Sequence, residues 1–522
     1  MGLFIGAYQN LIVVFSYGIL LAMLIVLSSI KLNHIKSVFG KISGKAWMLL
    51  GLIFLAGLII RLFVFPHYHR VYLDEQLYLE YAKNIHSEFR PQVCNYIDFD
   101  ESRCTFRPQT AVGWPVLLSL AFRIFGPSPE VAFYLSSMMG SLSVILIFFL
   151  VYLVFKSQPI ALWSSVFMAF TPLYVIWSNT AGNNMPSMFF LLLTLVFFFS
   201  YVKTKERKIL ALFAMSLVFS VIVRFENAIV VLPLLLILIR NKSLGKNRLF
   251  ESLRLLYPTL LIAFLVLVMI SVMVAGRYFE VLTGNLLDLY LLKFFPLLGA
   301  ASFGYFFLLL APIALIFPKK VPREGVISLF TFFIFFFALY LPLFFEERMA
   351  LVPGVFLIML SACSIEAIAA FLKEYMRNAA IFVAVSLMVI FGMSLAIAHE
   401  KALSGDHAKI LETNGAHEIK GIIPDGCYLV SEWPMVLGPA PHIRGIYTHI
   451  LLRNAHEADR ILNAGGCIYY FQDAYCADDS PSPSLGSRER CSLVREKFNL
   501  AVVEKFRRGE SEYILFKIVG IT

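Results

Sequence analysis

Polar residues are scarce in this sequence of 522 residues, of which 59% are hydrophobic. Soluble domains contain about 45–50% apolar residues, so an ordinary soluble fold is excluded and a polytopic membrane protein is predicted. A chain segment in lipid must satisfy its own backbone hydrogen bonds, which only helices and closed barrels achieve. The apolar runs are continuous rather than alternating, so the sequence predicts transmembrane helices.

The sequence also lacks the motifs of several common sites. It contains no Gly-rich dinucleotide fingerprint and no P-loop, so we expect no nucleotide site. It has no CxxC pair and no close group of His and Cys residues, which leaves no cofactor certain and gives no indication of a divalent metal. The formal net charge of +10 suits the basic cytoplasmic loops of a membrane protein better than contacts with nucleic acid.

Apolar windows of roughly 17–25 residues are candidate spans, and the sequence contains about twelve of them. They lie at 8–30, 46–66, 131–155, 160–178, 185–202, 209–223, 228–239, 256–275, 294–317, 326–345, 349–371 and 379–398. The lipid bilayer is therefore the first partner that the sequence predicts.

Lysine and arginine residues fix the predicted orientation. Every second loop between the windows is basic and is therefore assigned to the cytoplasm. The basic loops include residues 31–45, 156, 203–208, 240–254, 319–323 and 373–377. Both termini and the segment 66–110 are then outside the cytosol, in a protein of the plasma membrane. A cleaved signal peptide is the alternative for the first window, although its apolar run is longer than such peptides use.

Two stretches do not fit a simple count of spans. The windows 209–223 and 228–239 are each short for a bilayer and are separated by the charged stretch 224–227. A hairpin with this stretch near the outer face is predicted. Residues 110–126 are apolar enough to cross, but crossing would place every later basic loop outside. They are therefore predicted to form a juxtamembrane helix in the outer interface.

The last part of the chain has the composition of a soluble domain. Three predicted strands and an intervening helix lie at 427–432, 465–471, 512–519 and 455–465. We therefore predict a mainly α protein with a polytopic transmembrane bundle over 1–398, which includes an external loop with juxtamembrane helices at 67–126. A small extracytoplasmic α/β domain is predicted over 399–522.

Cysteine usage agrees with this arrangement. The chain has seven cysteines, and all except Cys363, which is inside a predicted span, lie on the side assigned as external. Disulfides form in an oxidising compartment of that kind. The favoured pair is Cys94–Cys104, since both residues are in the external loop. For the tail, the conjectured pairs are Cys476–Cys491 and Cys427–Cys467.

Charged and amide side chains predicted on the outer side form a small set. It comprises Asp74, Glu75, Arg103, Arg107, Asn183, Asn184, Arg224, Glu226, Asn227, Arg277, Glu280, Glu346, Glu347 and Arg348. Arginines can bind phosphate oxygens through paired hydrogen bonds, and a carboxylate can accept a proton from an attacking hydroxyl or amine. Convergence of these residues around one outer cavity would suit a lipid-linked anionic substrate.

A predicted helix adds one wall to this cavity. Asp74, Tyr78 and Tyr81 are spaced i, i+4, i+7 and share one side of the helix, where the rings could cover a sugar. Glu75 points about 100° away around the helix. Simpler roles stay open: Asp74 as a helix N-cap, the tyrosines as interfacial anchors, and Arg348 as the solvated partner of nearby acids.

Four segments carry a resemblance to a known family. They are LDEQLYLEYAKNI (73–85), VGWPVLLSLAFRIFG (112–126), VIVRFENAIVVLPLLL (221–236) and EERMALVPGVFLIMLSA (346–362). In order, they resemble the acidic motif of the first external loop, the second juxtamembrane helix, the Arg-x-Glu hairpin and the late Arg-containing segment of GT-C fold glycosyltransferases. The lipid A aminoarabinose transferases and protein O-mannosyltransferases are the most similar members, over residues 46–398.

The resemblance implies an inverting transfer of a sugar from a polyprenyl-phosphate carrier to an acceptor protein, lipid or glycan outside the cytosol. Asp74 would be the general base, with Glu75 as the fallback. The carrier phosphate would be bound by Arg107, Arg224 and Arg348. The remaining substrate-binding residues would be Tyr78, Tyr81, Glu226 and Asn184.

Two departures from the family pattern bear on this expectation. Members often carry a second acid after the fourth span, where this chain has Asn183 and Asn184, so a metal or second-acid role is not expected there. The first span is additional. The WWD motif of oligosaccharyltransferases is absent, which argues against transfer of a large preassembled glycan.

Other function classes remain as alternatives. A transporter or lipid-linked-sugar flippase would also place charged residues within its spans. The clustering of ionisable residues at one face, without visible inverted repeats, favours the enzyme. A non-catalytic scaffold that displays the tail is a third hypothesis.

Overall fold

The computed structural model describes a large part of the chain. The described residues are 2–30, 38–70, 72–93, 99, 111–234, 307, 310–313, 325–326, 329, 332, 347–373, 379–405, 418–419, 421–432, 434, 443–472, 476, 487–508 and 511–522. The chain divides into two compact units. We name them the bundle unit (Val14–Pro66 and Phe133–Ala402) and the tail unit (Met1–Val13, His67–Ala132 and Leu403–Thr522). The division at residues 398 and 399 stays a prediction.

Helices account for most of the described residues before the C-terminal region, as the apolar composition predicts. They are α1 (Gly2–Ser28), α2 (Gly44–Ile59), α3 (Tyr72–Glu88), α4 (Gly113–Phe125), α5 (Pro129–Phe155), α6 (Gln158–Phe170), α7 (Pro172–Ser178), α8 (Asn184–Thr204), α9 (Arg207–Val223), α10 (Leu351–Leu372) and α11 (Ala379–Gly405). A π-helical turn continues α2, and two 3-10 turns follow α9 and precede α10: Ile60–Val64, Phe225–Val230 and Glu347–Ala350.

Within the described residues, six helices are long and apolar enough to cross a membrane, or up to seven segments if one bent pair counts as a span. This confirms a helical membrane protein, but it does not confirm twelve spans. The predicted window 256–275 lies outside the described residues, as do 294–317 and 326–345 except for a few positions.

The predicted span 160–178 consists of two helices that together pass as one bent span. α6 and α7 meet at an angle of 55°. Thr171 has an extended backbone (φ −67°, ψ 123°) between them, as expected for a residue that precedes proline. Pro172 has no backbone N–H with which to continue the hydrogen bonds of α6. The chain therefore changes direction inside the apolar window.

Serine side chains define where two spans begin. Ser43 precedes α2 and accepts a hydrogen bond from the backbone N–H of Ala46 at 3.2 Å. Ser157 precedes α6 and accepts one from Ile160 at 3.5 Å. Each contact satisfies one of the N–H groups that a helix leaves unpaired in its first turn.

Helices α8 and α9 form an antiparallel pair with an aromatic seam. The rings of Phe190 and Phe219 are 4.6 Å apart, and those of Phe198 and Phe213 are 5.3 Å apart. Lys205 ends α8 in the left-handed conformation, with φ of 58°, and so reverses the chain. This pairing brings the start of α8 next to the end of α9.

The C-terminal region contains the predicted α/β fold. Its strands and helices are β1 (Tyr428–Ser431), β2 (Arg444–Tyr447), α12 (Thr448–Arg453), α13 (Ala455–Asn463), β3 (Ile468–Gln472), α14 (Ser487–Lys497), β4 (Phe498–Arg508) and β5 (Ser511–Ile521). The strand order is β2-β1-β3-β5-β4. Strand β1 pairs in parallel with β2 and β3, whereas β5 pairs antiparallel with β3 and β4.

Two disulfides close this region, and both match the conjectured pairs. Cys427 bonds to Cys467, and Cys476 bonds to Cys491. Cys363 is a free thiol buried in α10. Both Cys94 and Cys104 lie outside the described residues, so the favoured pair stays a prediction.

Candidate functional site

Two adjacent carboxylates occupy the first turn of α3 in the tail unit. The helix begins at Tyr72, so Asp74 lies inside the turn rather than at the N-cap position. Acidic side chains at this end are stabilised by the positive pole of the helix dipole. Asp74 is partly exposed, whereas Glu75 is buried with 1% exposure. The two carboxylates therefore have different environments.

Glu75 is fixed by the chain that precedes the helix. Its Oε2 lies 2.9 Å from Nδ1 of His69, and its Oε1 accepts a hydrogen bond from the backbone N–H of Arg70 at 3.0 Å. Nε2 of the same imidazole lies 3.1 Å from Nε2 of Gln76. A buried carboxylate needs such partners, because losing hydration without them is costly. Glu75 is thus well suited to hold the turn before α3.

Neighbouring groups extend this ordered turn. The guanidinium of Arg70 donates to the hydroxyl of Tyr68 at 2.9 and 2.6 Å and lies 5.3 Å from the centre of its ring. Burial lowers the pKa of His67, so this imidazole carries less charge near neutral pH than a solvated one. The turn therefore joins α3 through polar contacts rather than through apolar packing alone.

The two tyrosines predicted to form a wall with Asp74 have unequal access to solvent. Tyr78 is partly exposed, while Tyr81 is fully buried within the tail unit. A ring with no exposed surface contributes to packing of the helix. Asp74 and Tyr78 are therefore the members of the predicted face that solvent reaches.

A second polar group lies in the bundle unit, where α8 begins and α9 ends. Arg224 ends α9 with an extended backbone and has 6% exposure. Its Nη1 donates to Oδ1 of Asn184 at 2.9 Å, and its Nε lies 3.5 Å from Oε2 of Glu226. The three residues predicted here as substrate-binding are thus brought together. Glu226 offsets part of the charge of Arg224, because its carboxylate lies beside the Nε of the guanidinium.

Amide side chains hold this group in place. Asn183 donates through Nδ2 to the backbone carbonyl of Val223 at 3.0 Å. Asn227, which has no exposed surface, donates through Nδ2 to Oγ of Ser187 and of Ser220, each at 2.9 Å. These contacts tie α8, α9 and the following 3-10 turn together. These contacts therefore hold the backbone around Arg224 in place.

The third predicted arginine lies in the 3-10 turn before α10. Arg348 is partly exposed and belongs to the turn Glu347–Ala350. The next residue, Leu351, accepts a hydrogen bond through its backbone oxygen from the hydroxyl of Tyr174 in α7, at 2.9 Å. The start of α10 is thus attached to α7, which also leads into the loop before α8.

The predicted residues fall into two groups. Asp74, Glu75, Tyr78 and Tyr81 share α3 in the tail unit, and Asn184, Arg224, Glu226 and Arg348 are in the bundle unit. Arg107 lies outside the described residues. Across the described positions, no three His, Cys, Asp or Glu side chains are arranged to hold a metal ion.

Sequence reasoning missed two residues that organise these groups. His69 holds Glu75, and Arg61 is fully buried at the end of α2. The signal for His69 was its place directly before the acidic pair. The signal for Arg61 was a charged residue within an apolar run. A count of spans misses it, because the run still qualifies as a span despite one charge.

One protein family matches part of the chain. The family described as dolichyl-phosphate-mannose-protein mannosyltransferase matches residues 110–275. This range contains Asn184, Arg224 and Glu226 but not Asp74. Among curated proteins, no sequence matches the chain at a significant level.

Several solved structures are similar to the chain in fold. ArnT from Cupriavidus metallidurans bound to undecaprenyl phosphate is 12% identical, with a TM-score of 0.55 over 91% of this chain and 98% of its own. The oligosaccharyltransferase of Archaeoglobus fulgidus with Zn and sulfate is 13% identical, with a TM-score of 0.53 over 87% and 72%. AglB of the same organism, with an inhibitory peptide and a dolichol-phosphate, is 12% identical, with a TM-score of 0.53 over 91% and 74%.

At these identities the likeness concerns the fold. It confirms the GT-C resemblance recognised in the sequence, including the similarity to ArnT and to protein mannosyltransferases. The apolar helices and this fold together identify an integral membrane protein.

Proposed function

We propose that the chain is a glycosyltransferase that moves a sugar from a polyprenyl-phosphate carrier to an acceptor on the extracytoplasmic side of the membrane. The family match over residues 110–275 carries this proposal. ArnT bound to undecaprenyl phosphate and AglB with a dolichol-phosphate support a donor of this class, since both have the same fold. The acceptor class is a protein, a lipid or a glycan.

Asp74 is proposed as the general base, with Glu75 in a supporting role. The observation behind this assignment is the contrast between a partly exposed carboxylate and a buried one held by His69 and the backbone of Arg70. A base must reach the proton of an incoming hydroxyl or amine. A carboxylate whose oxygens are occupied inside the protein is a poorer candidate for that contact.

The proposed reaction is a single displacement at the anomeric carbon. The acceptor oxygen or nitrogen forms a bond to that carbon while the bond to the carrier phosphate oxygen breaks. The leaving phosphate keeps the electron pair, and Asp74 takes the acceptor's proton. Attack opposite the leaving group inverts the anomeric configuration. No nucleotide is consumed, because the carrier phosphate is already a leaving group.

Arginines are proposed to bind the carrier phosphate as its charge grows. Asn184 accepts a hydrogen bond from Nη1 of Arg224, and Glu226 lies beside its Nε, so the guanidinium is held in one orientation at the start of α8. Planar guanidinium groups suit bidentate contacts with phosphate. Arg348 and Arg107 are proposed as the further phosphate contacts, with Tyr78 on the sugar side.

The test compares two isosteric substitutions in α3. Asp74→Asn should fold normally and lower transfer by about 10²–10⁴-fold, the usual contribution of a general base. Glu75→Gln should mainly lower the melting temperature, because it neutralises the buried partner of His69. Complementation of a deletion strain, followed by mass spectrometry of envelope lipids and glycans, measures transfer, and detergent thermal shift measures folding.

The opposite pattern would overturn the base assignment. If Asp74→Asn transferred normally and Glu75→Gln did not, Glu75 would be the base. If the deletion changed no glycan or lipid, and vesicles with the protein took up a labelled carrier-linked sugar, the flippase alternative would replace the enzyme.

A further inference from the structure

Arg61 is a fully buried cation that the proposed chemistry does not use. It lies in the π-helical turn that continues α2, within an apolar span. A charged side chain inside a span is costly and usually marks function. Its partners are neutral: Nε donates to Oγ of Ser178 at 3.1 Å, and the two Nη atoms donate to backbone carbonyls.

One of those carbonyls is that of Gly57 in α2, and the other two lie at the end of α6, before the break between α6 and α7. Nη2 donates to the carbonyl of Met168 at 2.9 Å, and Nη1 donates to that of Ala169 at 3.0 Å. In a continuous helix the carbonyl of Met168 would accept from residue 172, but Pro172 has no N–H to give. Arg61 therefore supplies the hydrogen bonds that the break removes from α6.

The far end of α7 is held by the same arginine. Ser178, the last residue of α7, accepts from Arg61 and donates to the carbonyl of Tyr174. Ser137 of α5 donates to the carbonyl of Ser178 at 3.1 Å, and Asn179 donates to that of Phe65 at 3.1 Å. The last residues of α6 and the last residue of α7 are thus held by polar contacts that converge on the end of α2.

This short helix leads to two arginines of the proposed phosphate site. Beyond it, the loop runs to Asn184, which accepts from Arg224. From its middle, Tyr174 bonds the carbonyl of Leu351, three residues after Arg348. We propose that Arg61 is a positioning residue: it locks α7, and α7 places Arg224 and Arg348 for the carrier phosphate. This inference rests on the proposed function.

Two glycines make room for the contact between Arg61 and Ser178, which supports the positioning role. A Cβ on Gly57 would lie 3.1 Å from Nη1 of Arg61, and a Cβ on Gly140 would overlap Oγ of Ser178. No larger residue would fit at either position without moving that contact. Lysine could not replace the arginine in function, since a point ammonium cannot span a hydroxyl and three carbonyls in the plane of a guanidinium.

The experiment measures binding of undecaprenyl phosphate and of dolichyl phosphate to the purified full chain, and the KM and kcat of transfer. Ser178→Ala and Arg61→Lys should weaken binding of the preferred carrier and raise its KM by about 3- to 30-fold. The kcat should fall as well, because the arginines that α7 places are proposed to stabilise the charge that grows on the leaving phosphate. Ser216→Ala is the matched control, because its buried hydroxyl donates to the carbonyl of Phe213 within its own helix.

A double-mutant cycle separates positioning from general damage. If Arg61 acts through Arg224, the fold losses of carrier affinity in Arg61→Lys and Arg224→Lys should combine less than multiplicatively in the double variant. Hydrogen exchange over 173–184 should rise in Arg61→Lys and Ser178→Ala but not in Ser216→Ala. Multiplicative losses, or carrier binding as tight as that of the wild type, would overturn the positioning role.

Failure of the two proposals would look different. If the wild-type chain bound neither carrier, the proposed function would fall and the positioning role with it. If the wild type bound a carrier, Arg224→Lys weakened binding and Ser178→Ala did not, only the role of Arg61 would be rejected. A folding failure of Arg61→Lys leaves Ser178→Ala to decide.

Discussion

The bundle unit and the sheet of the tail unit satisfy their buried polar groups in different ways. In the bundle, side chains such as Arg61, Asn179 and Asn183 donate to backbone carbonyls of other segments. In the sheet, the strand ladders pair the backbone, and two disulfides join the loops around it. The bundle is thus specified by side-chain hydrogen bonds, and the sheet by ladders and covalent bonds.

The difference follows from the surroundings of each region. Lipid is as apolar as a helix surface, so apolar contact alone cannot choose how helices pack. Breaks such as that at Pro172 also leave carbonyls without their helical partners, and here the guanidinium of Arg61 donates to them. A small water-exposed domain has the opposite need, because its core is limited and cross-links compensate. Substitutions of the two kinds of contact can test this contrast.

The largest expected effect is in the tail. Replacing both Cys427 and Cys467 by alanine opens a link across a sequence separation of 40, which should cost the domain about 4 kcal/mol by the chain-entropy estimate. Pulse proteolysis of the full chain, followed by blotting for bundle and tail fragments, measures the effect. The tail should become susceptible while the helical fragment stays protected.

The second disulfide calibrates this result. Cys476 and Cys491 are separated by only 15 residues, so replacing both should cost about 3 kcal/mol. If both variants resisted proteolysis as well as the wild type, the disulfides would not stabilise the tail. The proposed difference between the tail and the bundle would then not rest on cross-links.

The next largest effect is in the bundle. Asn227→Ala leaves Oγ of Ser187 and Oγ of Ser220 without the amide donors that now reach them at 2.9 Å. Because the site is fully buried, the loss should be about 2–3 kcal/mol. Thermal unfolding followed by size-exclusion chromatography in detergent measures it.

The same substitution on the surface of the tail is the matched control. Asn463 is exposed and bonds Asp459 within α13 at 3.1 Å, so Asn463→Ala should change stability by less than about 0.5 kcal/mol. Similar losses at both positions would show that burial in the bundle adds nothing to an amide contact.

The elements predicted from the sequence are those with strong apolar runs. Strands β1, β3 and β5 were predicted because their residues are continuously apolar, and they occupy the three central positions of the sheet. Strands β2 and β4 were missed, and both lie at an edge of the sheet that the described strands form. β4 carries Glu504 and Lys505, and such charges weaken a strand signal while suiting an exposed edge.

The candidate site was predictable in identity but not in arrangement. Adjacent acids at positions 74 and 75 are visible in the sequence, but their different burial depends on how His69 turns back toward α3. Likewise, Arg224 and Asn184 are separated by 40 positions, and only the pairing of α8 with α9 brings them together. A span count based on hydropathy also passes over Arg61, since one charge does not lower a window average enough.

Apart from the Asn463→Ala control, the smallest expected effect is that of a bundle-like contact within the tail unit. The hydroxyl of Tyr428 donates to the backbone carbonyl of Phe99, far away in the sequence, at 3.1 Å, and the guanidinium of Arg444 lies 5.7 Å from the ring. This contact is only partly buried, so water can replace the lost bond in Tyr428→Phe. We expect a loss of about 0.5–1 kcal/mol, measured by pulse proteolysis of the tail. A loss as large as that of Asn227→Ala would mean that the sequence separation of such a hydrogen bond, and not its burial, determines how much it stabilises the fold. The contrast between the two regions would then need another cause.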